Sequence, residues 1–194
     1  MNVLAIGERP LTKLSMIADL DIHMVAERLD SRDTRVVRCR QPAELPERLA
    51  GLGAQGQIAR LDVFDHGAEG MQMLGGGALF ASDAAPGSAL VGLELARRIA
   101  PHLADTAQVR LLGCNTAEGR AGRLLLLKLA RALGGHRIVF GTIDRVVEAD
   151  FDRGGYAPVM EHQRLFSSAA ALDIEAPAAM RRFENMRAVR EALV

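Results

Sequence analysis

Two short segments carry residue types that could do nucleophilic chemistry. The apolar run Leu61-Asp62-Val63-Phe64 leads into Asp65-His66-Gly67, and the run Val109-Arg110-Leu111-Leu112 leads into Gly113-Cys114-Asn115-Thr116-Ala117. A free thiol has a pKa of about 8.5 and reacts as the thiolate, so a useful cysteine needs a basic partner or electropositive surroundings. If the two runs are neighbouring strands that end on one rim, His66 is that base. The backbone amides of Gly67 and Cys114 could then bind a developing oxyanion, one such donor being typically worth roughly 3 to 4 kcal/mol in the transition state. Asn115 with Glu118 three residues later reads as a capping pair, which starts a helix just after Cys114 and aims its positive end at the sulfur. Gly119 and Gly122 would let the first turn of that helix lie close against the sheet.

Each residue alone has a blander use. A His-Gly at a strand end is ordinarily a turn, a cysteine after a buried strand is ordinarily a small core residue, and Asn115 alone is ordinarily a cap. The joint placement is what carries weight. His66, Cys114, Asp62 and Asp65 are acceptable zinc ligands, but His23, His102, His136 and His162 show no ligand spacing, so neither a metal nor another cofactor is expected. A hydrolase elbow needs glycines two residues to either side of the nucleophile, which Gly113 and Asn115-Thr116 do not satisfy. Cys39, between Arg38 and Arg40 with no base nearby, reads as passive.

The elements that must position these residues follow from apolar periodicity. Val3–Gly7, Arg35–Arg38, Ile58–Phe64, Val109–Leu112 and Ile138–Phe140 read as strands. Leu11–Leu29, Pro42–Leu52, a stretch from Ser88 to Pro101, and Arg120–Leu133 read as helices, the second closed by Gly53 and the last by Gly134 and Gly135. Met71–Leu74 and Ala78–Phe80 form a hairpin after the third strand. Asp150–Pro158 reads as a loop and Ala178–Leu193 as a terminal helix, with 165–194 a C-terminal extension of a single domain spanning 1–194. Strands alternating with helices of this length give right-handed crossovers and a mostly parallel sheet flanked by helices, an α/β sandwich.

Composition bounds the function. The 194 residues carry 24 basic and 24 acidic side chains, and 49% are apolar. That is a folded chain without the basic excess that nucleic-acid binding needs. The longest apolar stretch, from Leu124, is broken by Lys128 and Arg131, so no membrane span is expected. No secretory leader is visible, and two cysteines are too few for a disulfide scaffold; a cytoplasmic setting is expected.

The strand ending in His66-Gly67, the stretch Gly70-Met71-Gln72-Met73-Leu74-Gly75, and Leu111-Leu112-Gly113-Cys114-Asn115-Thr116-Ala117 resemble the caspase-like cysteine peptidases, and most of all bacterial CHAT-type domains. The likeness covers about residues 58 to 142, and His66 precedes Cys114 by 48 positions, near the roughly 50 of caspases. It implies a caspase-like three-layer sandwich and peptide-bond hydrolysis of a protein or peptide substrate, with His66 managing protons, Cys114 attacking, and Gly67 and Cys114 amides holding the oxyanion. The Gln-Ala-Cys-Arg-Gly signature of caspases is absent, so cleavage after Asp is not implied. Relatives that cut after Arg or Lys use an acidic pocket, for which Asp62, Asp65, Asp144, Asp150 and Asp152 are unranked candidates. The competing expectation is a domain that keeps the fold but binds or regulates a protein partner, with Phe183 and Met186 on the terminal helix offering a surface for homo-oligomer formation.

Overall fold

The computed structural model describes residues 1–8, 17–29, 34–53, 56–82, 91–152, 155–157, 160 and 165–169. The expected terminal helix with Phe183 and Met186, the helix start at Ser88, and residues 11–16 lie outside them. The central sheet contains β1 (Asn2–Gly7), β2 (Thr34–Cys39), β3 (Ile58–Phe64), β7 (Leu103–Leu111), β8 (Ile138–Thr142) and β11 (Leu165–Ser167). Their order is β11-β8-β7-β3-β1-β2, parallel except for β11 against β8. A small antiparallel sheet of β4 (Gly67–Ala68), β5 (Met71–Leu74) and β6 (Gly77–Ala81) follows β3 directly. A hairpin of β9 (Phe151–Asp152) and β10 (Gly155–Tyr156) replaces part of the loop expected over 150–158.

Among the described residues four α-helices flank the sheet: α1 (Ile17–Leu29), α2 (Leu45–Gly51), α3 (Leu93–Ile99) and α4 (Gly119–Ala132). The strands are apolar on both faces, and side chains alternate between them with period two. Val3, Ala5, Leu61, Val63, Val109 and Leu111 join α2, α3 and α4 in one buried cluster. Leu4, Ile6, Phe64 and Leu112 join Ile22, Val25, Ala26 and Leu29 of α1 in the other. A mixed α/β domain with a mostly parallel sheet between helices results. Among the described residues no helix is long and apolar enough to cross a membrane.

β7 and α3 begin at other residues than expected. β7 begins at Leu103, six residues before the expected start, because Leu103 and Ala107 are buried against the α2–α4 side despite polar neighbours. α3 begins at Leu93 after Gly92, whose left-handed backbone (φ 86°) breaks the chain direction; Val91 instead bridges to Ala81.

Candidate active site

β3 and β7 are parallel neighbours, with Val63 in register with Leu111. His66 and Cys114 each follow three residues later, so they leave the same carboxyl edge from adjacent strands. The turns after these strands touch: a Cβ placed on Gly67 would lie 2.7 Å from Gly113 Cα, and one placed on Gly113 would lie 2.8 Å from Gly67 Cα. Only bare α-carbons allow that approach. His66 and Cys114 are both half-buried, and Cys114 is a free thiol.

Gln72 of β5 joins the two turns. Its side chain is fully buried; Oε1 accepts the Gly113 N–H at 2.9 Å, while Nε2 donates to Met73 O at 3.0 Å and reaches His66 O at 3.4 Å. Met73 N–H also bonds His66 O at 2.9 Å. Gly67 and Gln72 therefore form a non-hydrogen-bonded pair of the β4–β5 ladder, and the Gly67 N–H faces away from β5.

The Cys114 turn is held from beneath by two threonines. Thr116 Oγ1 donates to Leu111 O at 3.1 Å and receives the Thr142 N–H at 3.0 Å. Thr142 Oγ1 donates to Gly113 O and receives the Thr116 N–H at 3.4 Å. Each hydroxyl has one proton to give, so this reciprocal arrangement satisfies both. Asn115 N–H bonds Asp144 O at 3.1 Å, and the amides of Gly113, Asn115 and Thr116 are thus all committed. The Cys114 N–H has no partner among the described residues. On the sulfur side, Val146 N–H points at Cys114 Sγ at 3.4 Å, and Sγ stands 3.8 Å from Val146 O.

The expected capping role of Asn115 is corrected, while the helix over Arg120–Leu133 is present as α4. Asn115 takes a left-handed backbone (φ 58°) instead of capping, Glu118 N–H closes a turn on Asn115 O at 3.0 Å, and α4 begins at Gly119 with Glu118 as its N-cap residue. The turn of residues 114–117 intervenes, so the helix end is not set directly behind the sulfur. Gly122 packs on this turn: a Cβ there would lie 2.3 Å from Ala117 C.

The acidic candidates separate by burial. Asp62 is 3% exposed; its Oδ1 accepts Arg110 Nε at 2.6 Å, its Oδ2 accepts Arg110 Nη2, and Arg60 Nε lies 3.4 Å from Oδ2. It points to the α1 face, under Tyr156, whose ring centroid lies 5.9 Å from the Arg110 guanidinium. Asp65 is also buried, accepting the His66 N–H at 2.6 Å and the Gly75 N–H at 2.7 Å. Asp150 is buried and accepts the Val147 N–H at 2.9 Å. These three carboxylates are buried and hydrogen-bonded inside the protein. Asp144 is half-buried beside the Cys114 turn and accepts the Arg145 N–H at 2.7 Å; Asp152 is exposed on the β9–β10 hairpin.

Burial pushes the Cys39 thiol up to about 12, with the nearby Glu44 charge adding to the effect, so it stays protonated and unreactive. Among the described residues no three His, Cys, Asp or Glu side chains are grouped so as to hold a metal ion. Sequence reasoning missed Gln72 and Thr142 as parts of the site. Their signal was a polar residue on the buried face of a short apolar strand, where an amide or hydroxyl must find a partner.

The chain belongs to the family described as Domain of unknown function (DUF4347), which it matches over residues 17–141, a span that takes in β3, β7, both turns and Gln72. No curated protein matches the chain.

Proposed function

We propose that this DUF4347 domain is a cysteine endopeptidase of caspase-like topology, acting through His66 and Cys114 on a protein or peptide substrate. The observation that carries the reading is the pairing of β3 with β7 in a register that sends His66 and Cys114 off the same edge three residues past Val63 and Leu111. Cys114 passes its proton to His66 as sulfur bonds to the scissile carbonyl carbon, and the carbonyl π pair moves to oxygen. The Gly67 and Cys114 N–H groups receive that oxyanion. Its collapse breaks the C–N bond; the leaving amine takes the proton from His66, and a thioester remains. Water then gives a proton to His66 and attacks the thioester, releasing the carboxylic acid as the proton returns to sulfur. Val146 N–H is aimed at Sγ from 3.4 Å. Asp144 is the acidic candidate beside the Cys114 turn for contacting a basic substrate side chain.

A second reading, a non-catalytic caspase-like module that binds or regulates a protein partner, draws on the same sulfur, which stands 3.8 Å from Val146 O. Intact-mass analysis after treatment with peptide electrophiles that differ in the side chain before the reactive carbon separates the two. The peptidase reading expects labelling of Cys114 that is faster than in the unfolded chain, selective among the peptides, and lost in both Cys114→Ala and His66→Ala. Labelling no faster than in the unfolded chain leaves the binding module.

A further inference from the structure

We propose that Thr142 is a positioning residue for the oxyanion site, an inference that rests on the peptidase reading above. The Gly113 C=O and the Cys114 N–H belong to one planar trans peptide group, so they point in opposite directions. Thr142 Oγ1 donates to the Gly113 C=O from within the sheet, where both residues are buried. Holding that oxygen inward turns the Cys114 N–H outward, to the rim where Cys114 itself emerges. The preceding peptide is fixed from the other side, because the Gly113 N–H is bound by Gln72 Oε1. The two bonds, one on each side of Gly113 Cα, restrain rotation of the 113–114 peptide. The Cys114 N–H is the amide of this turn that has no partner among the described residues, while its neighbours at 113, 115 and 116 are all engaged. A donor without a partner, held in one direction by buried hydroxyl and carboxamide groups, is a preorganised electrostatic site, which costs no reorganisation when charge develops.

Thr142 touches neither substrate nor sulfur in this scheme, so its effect must appear only in reactions that develop an oxyanion. Two probes of Cys114 differ in that respect. p-Nitrophenyl acetate transfers its acetyl group to sulfur through a tetrahedral oxyanion and releases p-nitrophenolate. Iodoacetamide alkylates sulfur by displacement of iodide and forms no oxyanion. Both rates are read by peptide mass spectrometry on the folded full chain, with thermal unfolding recorded for each variant.

Thr142→Val removes the hydroxyl at nearly constant volume; it is expected to slow acetylation of Cys114 at least about tenfold while alkylation stays within about twofold, since losing an oxyanion donor outright costs about 10² to 10³. Thr142→Ser keeps the donor and is expected to recover most of the acetylation rate. If Thr142→Val does not fold, Thr142→Ala carries the same comparison. Equal loss of both rates in a folded variant, or loss of neither, overturns the positioning role and leaves the dyad intact. A wild-type Cys114 that is acetylated no faster than in the unfolded chain overturns the peptidase reading, and the positioning role with it.

Discussion

Asp62 and Arg110 face each other across the β3–β7 ladder and form a two-point ion pair with both side chains buried, 3% and 1% exposed. The pair lies on the α1 face of the same two strands that carry His66 and Cys114. Arg60 approaches the same carboxylate, and the β9–β10 hairpin covers it through Tyr156. Phe151 of that hairpin packs on Phe64, with ring centroids 4.5 Å apart.

Removing one member of such a pair strands a buried charge, which costs about 3–5 kcal/mol, whereas replacing both by apolar groups of similar volume is often neutral. Asp62→Leu alone should therefore lower stability in urea by about that amount, and Asp62→Leu with Arg110→Met should recover most of the loss. A double variant as unstable as the single one would contradict this account of the pair.

The two cysteines should respond oppositely to folding. Cys39 is fully buried with its pKa at about 12, so alkylation of the folded protein at pH 8 should modify Cys114 and spare Cys39, and unfolding should expose both. The same shift has a stability consequence. The folded thiol holds its proton above the unfolded value of about 8.5, so stability from this group is intact below that pH and declines as pH rises toward 12, by about 1.4 kcal/mol per unit. Urea titrations between pH 8 and 10 should show the decline in the wild type and a flatter course in Cys39→Ala.

Gly67→Ala tests the contact between the turns. The added methyl would sit 2.7 Å from the Gly113 backbone and 2.8 Å from Thr116 Cγ2, so something must move. Overpacking of this kind costs about 1–3 kcal/mol. Loss of stability in that range, together with loss of selective electrophile labelling at Cys114, is expected. Wild-type values on both measurements would show that the turns can separate freely.

Gln72 gives a pH-dependent test. Gln72→Leu leaves the buried Gly113 N–H without an acceptor and should cost about 1–3 kcal/mol. Gln72→Glu keeps the acceptor, but burial disfavours its carboxylate, so its folded pKa lies above the unfolded value of about 4.3. The glutamate variant should be nearest to wild type in acid and lose stability as pH rises through the folded pKa. Parallel urea curves at pH 5 and pH 7.5 check the direction.

Much of the scaffold was legible because the parallel strands are short apolar runs, and alternation placed Val63 and Leu111 on one face with Phe64 and Leu112 on the other. The hairpin expected over Met71–Leu74 and Ala78–Phe80 is present as β5 and β6. The β9–β10 pair and β11 were not, because strands of two or three residues are fixed by tertiary contacts such as Phe151 on Phe64 rather than by periodicity. The helix over Arg120–Leu133 was legible, but Asn115 was misread as its cap because Asn115 and Glu118 have the spacing of one, whereas the bond from Asn115 N–H to Asp144 O goes with a left-handed turn ahead of the helix. Asp62, Asp65 and Asp150 looked available because a sequence shows a charge without its partner. Arg110 and the amides of His66, Gly75 and Val147 are those partners.

The bare α-carbon contact between Gly67 and Gly113 also governs how the rim can move. Neither glycine has a side chain of its own to cushion a shift at that contact by changing rotamer. A displacement that begins on the imidazole side is therefore expected to push on the sulfur side directly.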